Sequence, residues 1–156
     1  MRALTANQQL VTELEYSRAL LLRAIDGLSE EQMSRATIDG WSVKDHLTHL
    51  TVWDEMRFFE ISRIARGGGA SFRETPDEAG LAWINEPTVA MRRRLSLAQV
   101  LTDLSFARDL VLQAVALCSE DRLDQRYYEE IGIAGGAAHD RSHADTIAAW
   151  RKKERI

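Results

Sequence analysis

Apolar residues recur along the chain at the three- and four-residue spacing that amphipathic helices require. The first such pattern lies between residues 4 and 28, and we expect Gly27 with Ser29 to end it. The polar connector that follows has room for one helical turn at Glu30 to Met33. The apolar positions of the first pattern are Leu10, Leu14, Leu20, Leu21, Leu22 and Ile25.

A second long helix is predicted to begin at Ser42 and to end at about Arg66. Serine is a favoured N-cap residue, and Asp45 lies three residues further on, near the positive end of the helix dipole. The glycine-rich stretch after Arg66 then breaks the pattern.

The second half of the chain contains further helical segments. One begins near Pro76 and is kinked or interrupted at Pro87. The next, over residues 95–117, is either capped at Ser96 or continues from the previous segment through a bend. After an irregular stretch, the last helix covers about residues 137–150. Four long amphipathic segments without strand alternation predict an all-α four-helix bundle, a single domain over residues 1–156.

Composition limits the class of protein and of partner. A chain of 156 residues can bury one sizeable core but has no room for a second domain. The formal net charge of −4 disfavours nucleic acid or an anionic membrane as a partner, because both need a cationic surface. The single Cys118 lies in an apolar helical stretch, which predicts a buried, unreactive thiol. With no secretory signal or membrane helix in view, we expect a soluble cytoplasmic protein.

Three histidines on two helices carry the candidate chemistry. His139 and His143 are four residues apart and therefore share a face of the last helix, together with Ile147 and Trp150. His49 lies between leucines on the second helix. If the three rings meet, they suit a divalent metal (Zn, Ni or Fe) and leave a position for a water, whose pKa would fall toward neutrality. The alternative is that the spacing of the last pair is accidental.

Nearby residues are candidates for the surroundings of this site. His46 shares a helix face with His49 but is nearer the helix start, so we expect it at the rim or in a second layer. Ring nitrogens that do not bind metal need acceptors. The candidates are Asp45 for the second helix and Asp140 or Asp145 for the last.

Two aromatic residues complete the set of candidates. Trp53 lies one turn after His49 and is expected to form a wall of the pocket. Tyr128, in the irregular stretch before the last helix, is within reach of a metal-bound water or a substrate, or else it anchors the loop.

Three segments together resemble the DinB/YfiT-like superfamily: WSVKDHLTHLTVWDE, AWINEPTVAMRRRLSLAQVLTDL and HDRSHADTIAAWRK. They cover most of the chain, and the last two look most like the ClbS/DfsB group. The resemblance implies a four-helix bundle with a metal site at one end. It also implies one ligand from the second helix and two from the last, which here correspond to His49, His139 and His143. His139 stands where the mycothiol-dependent isomerase branch has a glutamate, which argues against that activity.

The resemblance implies chemistry on a small, electrophilic molecule, and the favoured function is a metal-dependent hydrolase or a thiol-dependent transferase. Two alternatives stay open. One is a non-catalytic protein that sequesters a small molecule in the same pocket. The other is a dimeric helical protein with a structural role, and a homodimer is compatible with all three functions.

Overall fold

The computed structural model describes residues 4–69, 78–123 and 135–156, and these residues form six helices. They are α1 (Ala6–Ile25), α2 (Glu30–Ser34), α3 (Val43–Ala65), α4 (Glu78–Arg92), α5 (Leu97–Leu117) and α6 (Gly135–Glu154). Within the same residues no strand occurs, and the pairing of Ile38 with Trp41 is an isolated bridge. The predicted all-α class is confirmed.

Local sequence determines where several helices begin. α1, α2, α3 and α5 each start with a capping box, in which the N-cap side chain and the third helical residue bond to each other's backbone N–H. The predicted caps Ser42 and Ser96 are both confirmed. Pro87 lies inside α4, which continues through it instead of being interrupted there.

The four long helices α1, α3, α5 and α6 form the bundle, and α4 lies against α3. α1 packs closely with α6 and α3 with α5, while contacts of α1 with α5 and of α3 with α6 close the ring. One apolar cluster combines the end of α1, the starts of α3 and α5, and the end of α6. Helices α1 and α6 therefore run in one direction, and α3 and α5 run in the other.

The interior contains two apolar clusters with a layer of charged side chains between them. The upper cluster includes Leu21, Leu47, Leu104 and Ile147, and the lower one includes Leu14, Ile61, Val111 and Ala137. On every bundle helix a charged residue stands between a member of one cluster and a member of the other. These charged residues are Arg18, Asp54, Arg57, Arg108 and Asp140.

Two fully buried aspartates and three arginines form this layer. Asp54 is contacted by Arg18 at 2.9 Å, by Arg108 at 2.9 Å and by Arg57 at 3.0 Å. Asp140 is contacted by Arg18 and by Arg108, each at 3.0 Å. Burial alone would raise the pKa of the Asp54 carboxyl, but the three guanidinium groups outweigh it and lower that pKa. The layer therefore joins all four bundle helices by ion pairs.

Cys118 ends α5 and is buried in the lower apolar cluster, as predicted. Burial raises the pKa of its thiol. The thiol is therefore protonated at neutral pH, which makes it a poor nucleophile.

In the part of the chain that the structure describes, no helix combines the length and the apolar character needed to cross a bilayer.

We expect Asp54→Asn to lower the free energy of unfolding by about 3 to 5 kcal/mol, because the substitution leaves buried guanidinium charges without their carboxylate. Urea unfolding followed by circular dichroism measures this change. Glu55→Gln is the matched control, since Glu55 is the next residue and its ion pair with Arg92 is partly exposed. The control should cost about 1 kcal/mol at most. Equal losses in the two variants would contradict the assigned role of the layer.

Candidate metal centre

All four histidines of the chain come from α3 and α6, which are neighbours in the bundle. His46 and His49 follow the capping box of α3, and His139 and His143 lie in the first half of α6. Their sequence neighbours Leu47, Leu50 and Ala144 belong to the upper apolar cluster. Because successive helical residues point about 100° apart, the imidazoles lie to one side of that cluster, between the two helices.

Three imidazoles converge as predicted. His49 Nε2 lies 2.8 Å from His139 Nε2, and His143 Nε2 lies 3.1 Å from the same atom. The possible ligand atoms of these three residues are all within 4.8 Å of one another. Nitrogens bound to one divalent ion at about 2.0 to 2.1 Å lie about 3 to 4 Å apart. The arrangement is therefore close to that of a three-histidine metal site.

The hydrogen-bonding capacity of the rings also fits a cation. In the plane of a neutral imidazole, each nitrogen offers either one hydrogen or one lone pair. His139 Nε2 is within hydrogen-bond distance of both His49 and His143 and can satisfy only one of them. A cation at the centre would accept the lone pairs of all three nitrogens.

The family model of the DinB superfamily matches residues 13–150, which include all four histidines. The chain belongs to the DinB superfamily. Among curated proteins no match is found. A crystal structure of an uncharacterised protein from Escherichia coli UTI89 has a similar fold, with a TM-score of 0.79 at 16% identity. The alignment covers 96% of this chain and 95% of that one. The structural likeness thus extends over the whole DinB fold.

The imidazoles of this DinB-superfamily protein are neutral at neutral pH. Burial, followed by the influence of neighbouring imidazoles, lowers the pKa of His49 to about 4 and that of His143 to about 3. Burial and the same neighbours lower the pKa of His139 to about 2. The Arg57 guanidinium contributes to the shifts at His49 and His139. The lone pairs are therefore available without competition from protons.

Two tryptophans flank the histidines. The ring of Trp41 lies 5.3 Å from His46 and 5.2 Å from His49, between centroids. The ring of Trp53 lies 6.2 Å from His49 and 6.3 Å from His139, so this side chain is beside the imidazoles.

Helix α4 of the DinB fold fixes both tryptophans. Trp53 Nε1 donates to Asn85 Oδ1 at 3.0 Å, and Trp41 Nε1 donates to Glu86 Oε1 at 2.9 Å. Sequence reasoning gave Asn85 no role and assigned none at the site to Trp41. A local signal did exist for Trp41: it precedes the N-cap Ser42, and a residue there often packs on the fourth helical residue, here His46.

The prediction that carboxylates orient the histidine rings is wrong for Asp45 and Asp140. Asp45 accepts from the backbone N–H of Ser42 and contacts Arg93 at 3.4 Å. Asp140 is engaged by the arginines of the charged layer, and the adjacent His139 Nδ1 is buried without a hydrogen-bond partner among the described residues. The carboxylate of Asp45 therefore caps a helix and that of Asp140 makes long-range ion pairs. Proximity in sequence had assigned both to the imidazoles.

The predictions for His46, Asp145 and Tyr128 have different outcomes. Of the two positions expected for His46, the structure shows the second layer and not the rim, because this residue is 7% exposed and its ring contacts His143. Asp145 is exposed and lies beside α1, away from the imidazoles. Tyr128 lies outside the described residues.

Arg57 is a neighbour of the site that sequence analysis missed. Its guanidinium carbon lies 6.0 Å from the centroid of the Trp53 ring, and its Nη1 donates to Asp54. In sequence, Arg57 stands in a mixed stretch that resembles a solvated helix face. Its burial could have been inferred only from its position one turn before Ile61 on the apolar side of α3.

We expect the metal-free protein to lose stability as the pH falls below about 6.5. In the unfolded chain the imidazoles become positively charged near pH 6.5, whereas in the folded protein the lowered pKa values keep them neutral. Their contribution to the free energy of unfolding is complete above pH 6.5. It should fall by about 1.4 kcal/mol per pH unit for each histidine as acid is added. Urea unfolding at about pH 7, 6 and 5, with a chelator present, measures the slope.

His139→Gln removes one of these groups. It should reduce the slope by the contribution of one histidine, about 1.4 kcal/mol per pH unit. Ser142→Ala is the matched control, because Ser142 is exposed on the same helix, and its slope should equal that of the native protein. An unchanged slope in His139→Gln would show that this imidazole is not buried in its neutral form.

Proposed function

We propose that this DinB-superfamily protein is a metal-dependent enzyme whose divalent ion is bound by the Nε2 atoms of His49, His139 and His143. The observation that carries the proposal is the convergence of three neutral imidazoles on one point, with His139 Nε2 in contact with both of the others. Zn, Ni and Fe(II) all accept such a ligand set.

The chemistry we propose is hydrolysis of a small electrophilic molecule or transfer of a thiol to it. A divalent ion held by three imidazoles supplies Lewis acidity and retains at least one exchangeable coordination position. The chain's own residues provide the surroundings. The imidazoles fix the position of the centre, and the rings of Trp41 and Trp53 give the site apolar walls.

The two indole rings and the overall charge support a small molecule as the proposed partner. Two indole rings beside the imidazoles favour a ligand with an apolar portion. The net charge of −4 offers no general attraction for nucleic acid. We therefore propose a small, uncharged or weakly charged electrophile as the substrate class.

Metal content provides the first test. Untagged protein purified without added metal should carry about one equivalent of a divalent ion per chain, and His143→Ala should carry less than about a tenth of an equivalent. Ser142→Ala is the matched control on α6 and should retain the ion. If His143→Ala is poorly folded by circular dichroism, His49→Gln replaces it. A native protein that contains no metal and binds none on addition would refute the proposed centre.

Turnover provides the second test. The metal-loaded protein should convert many equivalents of a model electrophile, such as an activated ester or an epoxide, with or without an added thiol. Conversion should stop when a chelator removes the metal and resume when the metal is restored. Loss of only one equivalent of the electrophile per chain would instead favour sequestration.

A further inference from the structure

His46 contacts a proposed metal ligand on the side away from the metal position. Its Nδ1 lies 2.9 Å from Nδ1 of His143, whereas Nε2 of His143 faces His139. The ring centroids of His46 and His143 are 4.9 Å apart. His143 is therefore contacted through both ring nitrogens, one toward the candidate centre and one toward His46.

This contact restricts where the protons lie. A neutral imidazole carries one N–H, so His143 can present a lone pair at Nε2 only if its proton is on Nδ1. That N–H then donates to His46 Nδ1, which must be unprotonated. The opposite assignment would place the proton of His143 on Nε2, pointing at the other ligands, and would exclude His143 as a ligand.

We propose that His46 is a positioning residue of the candidate centre: its Nδ1 accepts the Nδ1–H of His143 and so directs the Nε2 lone pair of His143 toward His49 and His139. This inference rests on the proposed function as far as metal affinity is concerned, whereas the tautomer assignment does not require a metal. In metal sites the distal nitrogen of a ligand histidine usually donates to a carboxylate, a carbonyl or a water. Here an imidazole takes that part, because the carboxylates of Asp45 and Asp140 are engaged elsewhere.

The surroundings of His46 fix the orientation of its ring. It lies in the first turn and a half of α3, where the capping box of Ser42 and Asp45 sets the backbone. The ring of Trp41 packs edge-on against it, and the indole N–H of Trp41 is held by Glu86. The acceptor nitrogen is therefore presented to His143 by residues from two helices and the loop before α3.

An imidazole at position 46 is a poor choice for packing alone. Its Nε2 is buried without a hydrogen-bond partner among the described residues. An unsatisfied buried polar group is unfavourable, and an apolar side chain of similar size would avoid that cost. The hydrogen bond to His143 explains a histidine at position 46, whereas packing alone does not.

Substitutions that keep or remove the acceptor separate positioning from packing. His46→Asn places a carbonyl oxygen near the position of Nδ1 and retains an acceptor, whereas His46→Leu fills the space without one. His46→Gln is the polar control, because its longer side chain carries the amide toward the position of Nε2. Circular dichroism establishes that each variant is folded.

Two readouts are measured on each protein. Nitrogen-15 NMR of the metal-free protein at neutral pH reports which nitrogen of His143 carries the proton. Competition with a chromophoric chelator gives the affinity for Zn²⁺. We expect an Nδ1–H His143 in the native protein and in His46→Asn, and its loss in His46→Leu and His46→Gln. Zn²⁺ affinity should fall by about 10- to 100-fold in the last two variants and by about threefold at most in His46→Asn.

The outcomes distinguish the two proposals. If the native protein binds Zn²⁺ while the tautomer of His143 and the affinity are the same in His46→Leu, the positioning role is overturned and the proposed function stands. If the native protein binds no Zn²⁺ but the tautomer changes as expected, the proposed function fails and the hydrogen bond is supported. Equal losses of affinity in His46→Asn and His46→Leu would show that position 46 acts through ring shape, which also overturns the inference.

Discussion

The buried ion pairs between two aspartates and three arginines are the constraint on which the rest of this bundle depends. Asp54 and Asp140 have no exposure to solvent, and a carboxylate buried without its partner would be strongly destabilising. Apolar clusters above and below tolerate small shifts of one helix along another, because leucine and valine contacts are not directional. A carboxylate between guanidinium groups allows far fewer alignments. The charged layer therefore sets the register of α1, α3, α5 and α6.

The same layer places the histidines. Asp140 directly follows His139 in α6, and its contacts with Arg18 and Arg108 face α1 and α5. Because adjacent helical residues point about 100° apart, His139 is turned away from those helices and toward α3. On α3, Asp54 lies five residues after His49. It shares Arg18 with Asp140 of α6, and this common partner fixes the position of α3 along α6. The distance of 2.8 Å between His49 and His139 is thus a consequence of ion pairs made by their neighbours.

The extent to which sequence predicts this structure depends on the range of the interactions. Ser42 and Ser96 were predictable as helix starts because a capping box involves four consecutive residues. The convergence of His49, His139 and His143 was also predictable, from i,i+4 spacing and apolar neighbours together with the family resemblance. The partners of the carboxylates were not, because Arg18 and Asp140 are 122 residues apart in sequence. A signal for the charged layer was nevertheless present.

That signal is a charged residue within the apolar stripe of each bundle helix, at the same height along all four helices. Arg18 stands between Leu14 and Leu21, and Arg108 between Leu104 and Val111. Periodicity alone treats each such residue as an isolated departure from the pattern. A charged residue of each sign on facing helices, with apolar residues one turn before and after it on the same face, instead indicates a paired interior layer. Helix α4 shows the limit of this reasoning. Its hydrogen bonds to Trp41 and Trp53 join residues that belong to neither apolar cluster. Because adjacent residues of α4 bond to the two rings that flank the imidazoles, the positions of those rings are set by a helix outside the bundle.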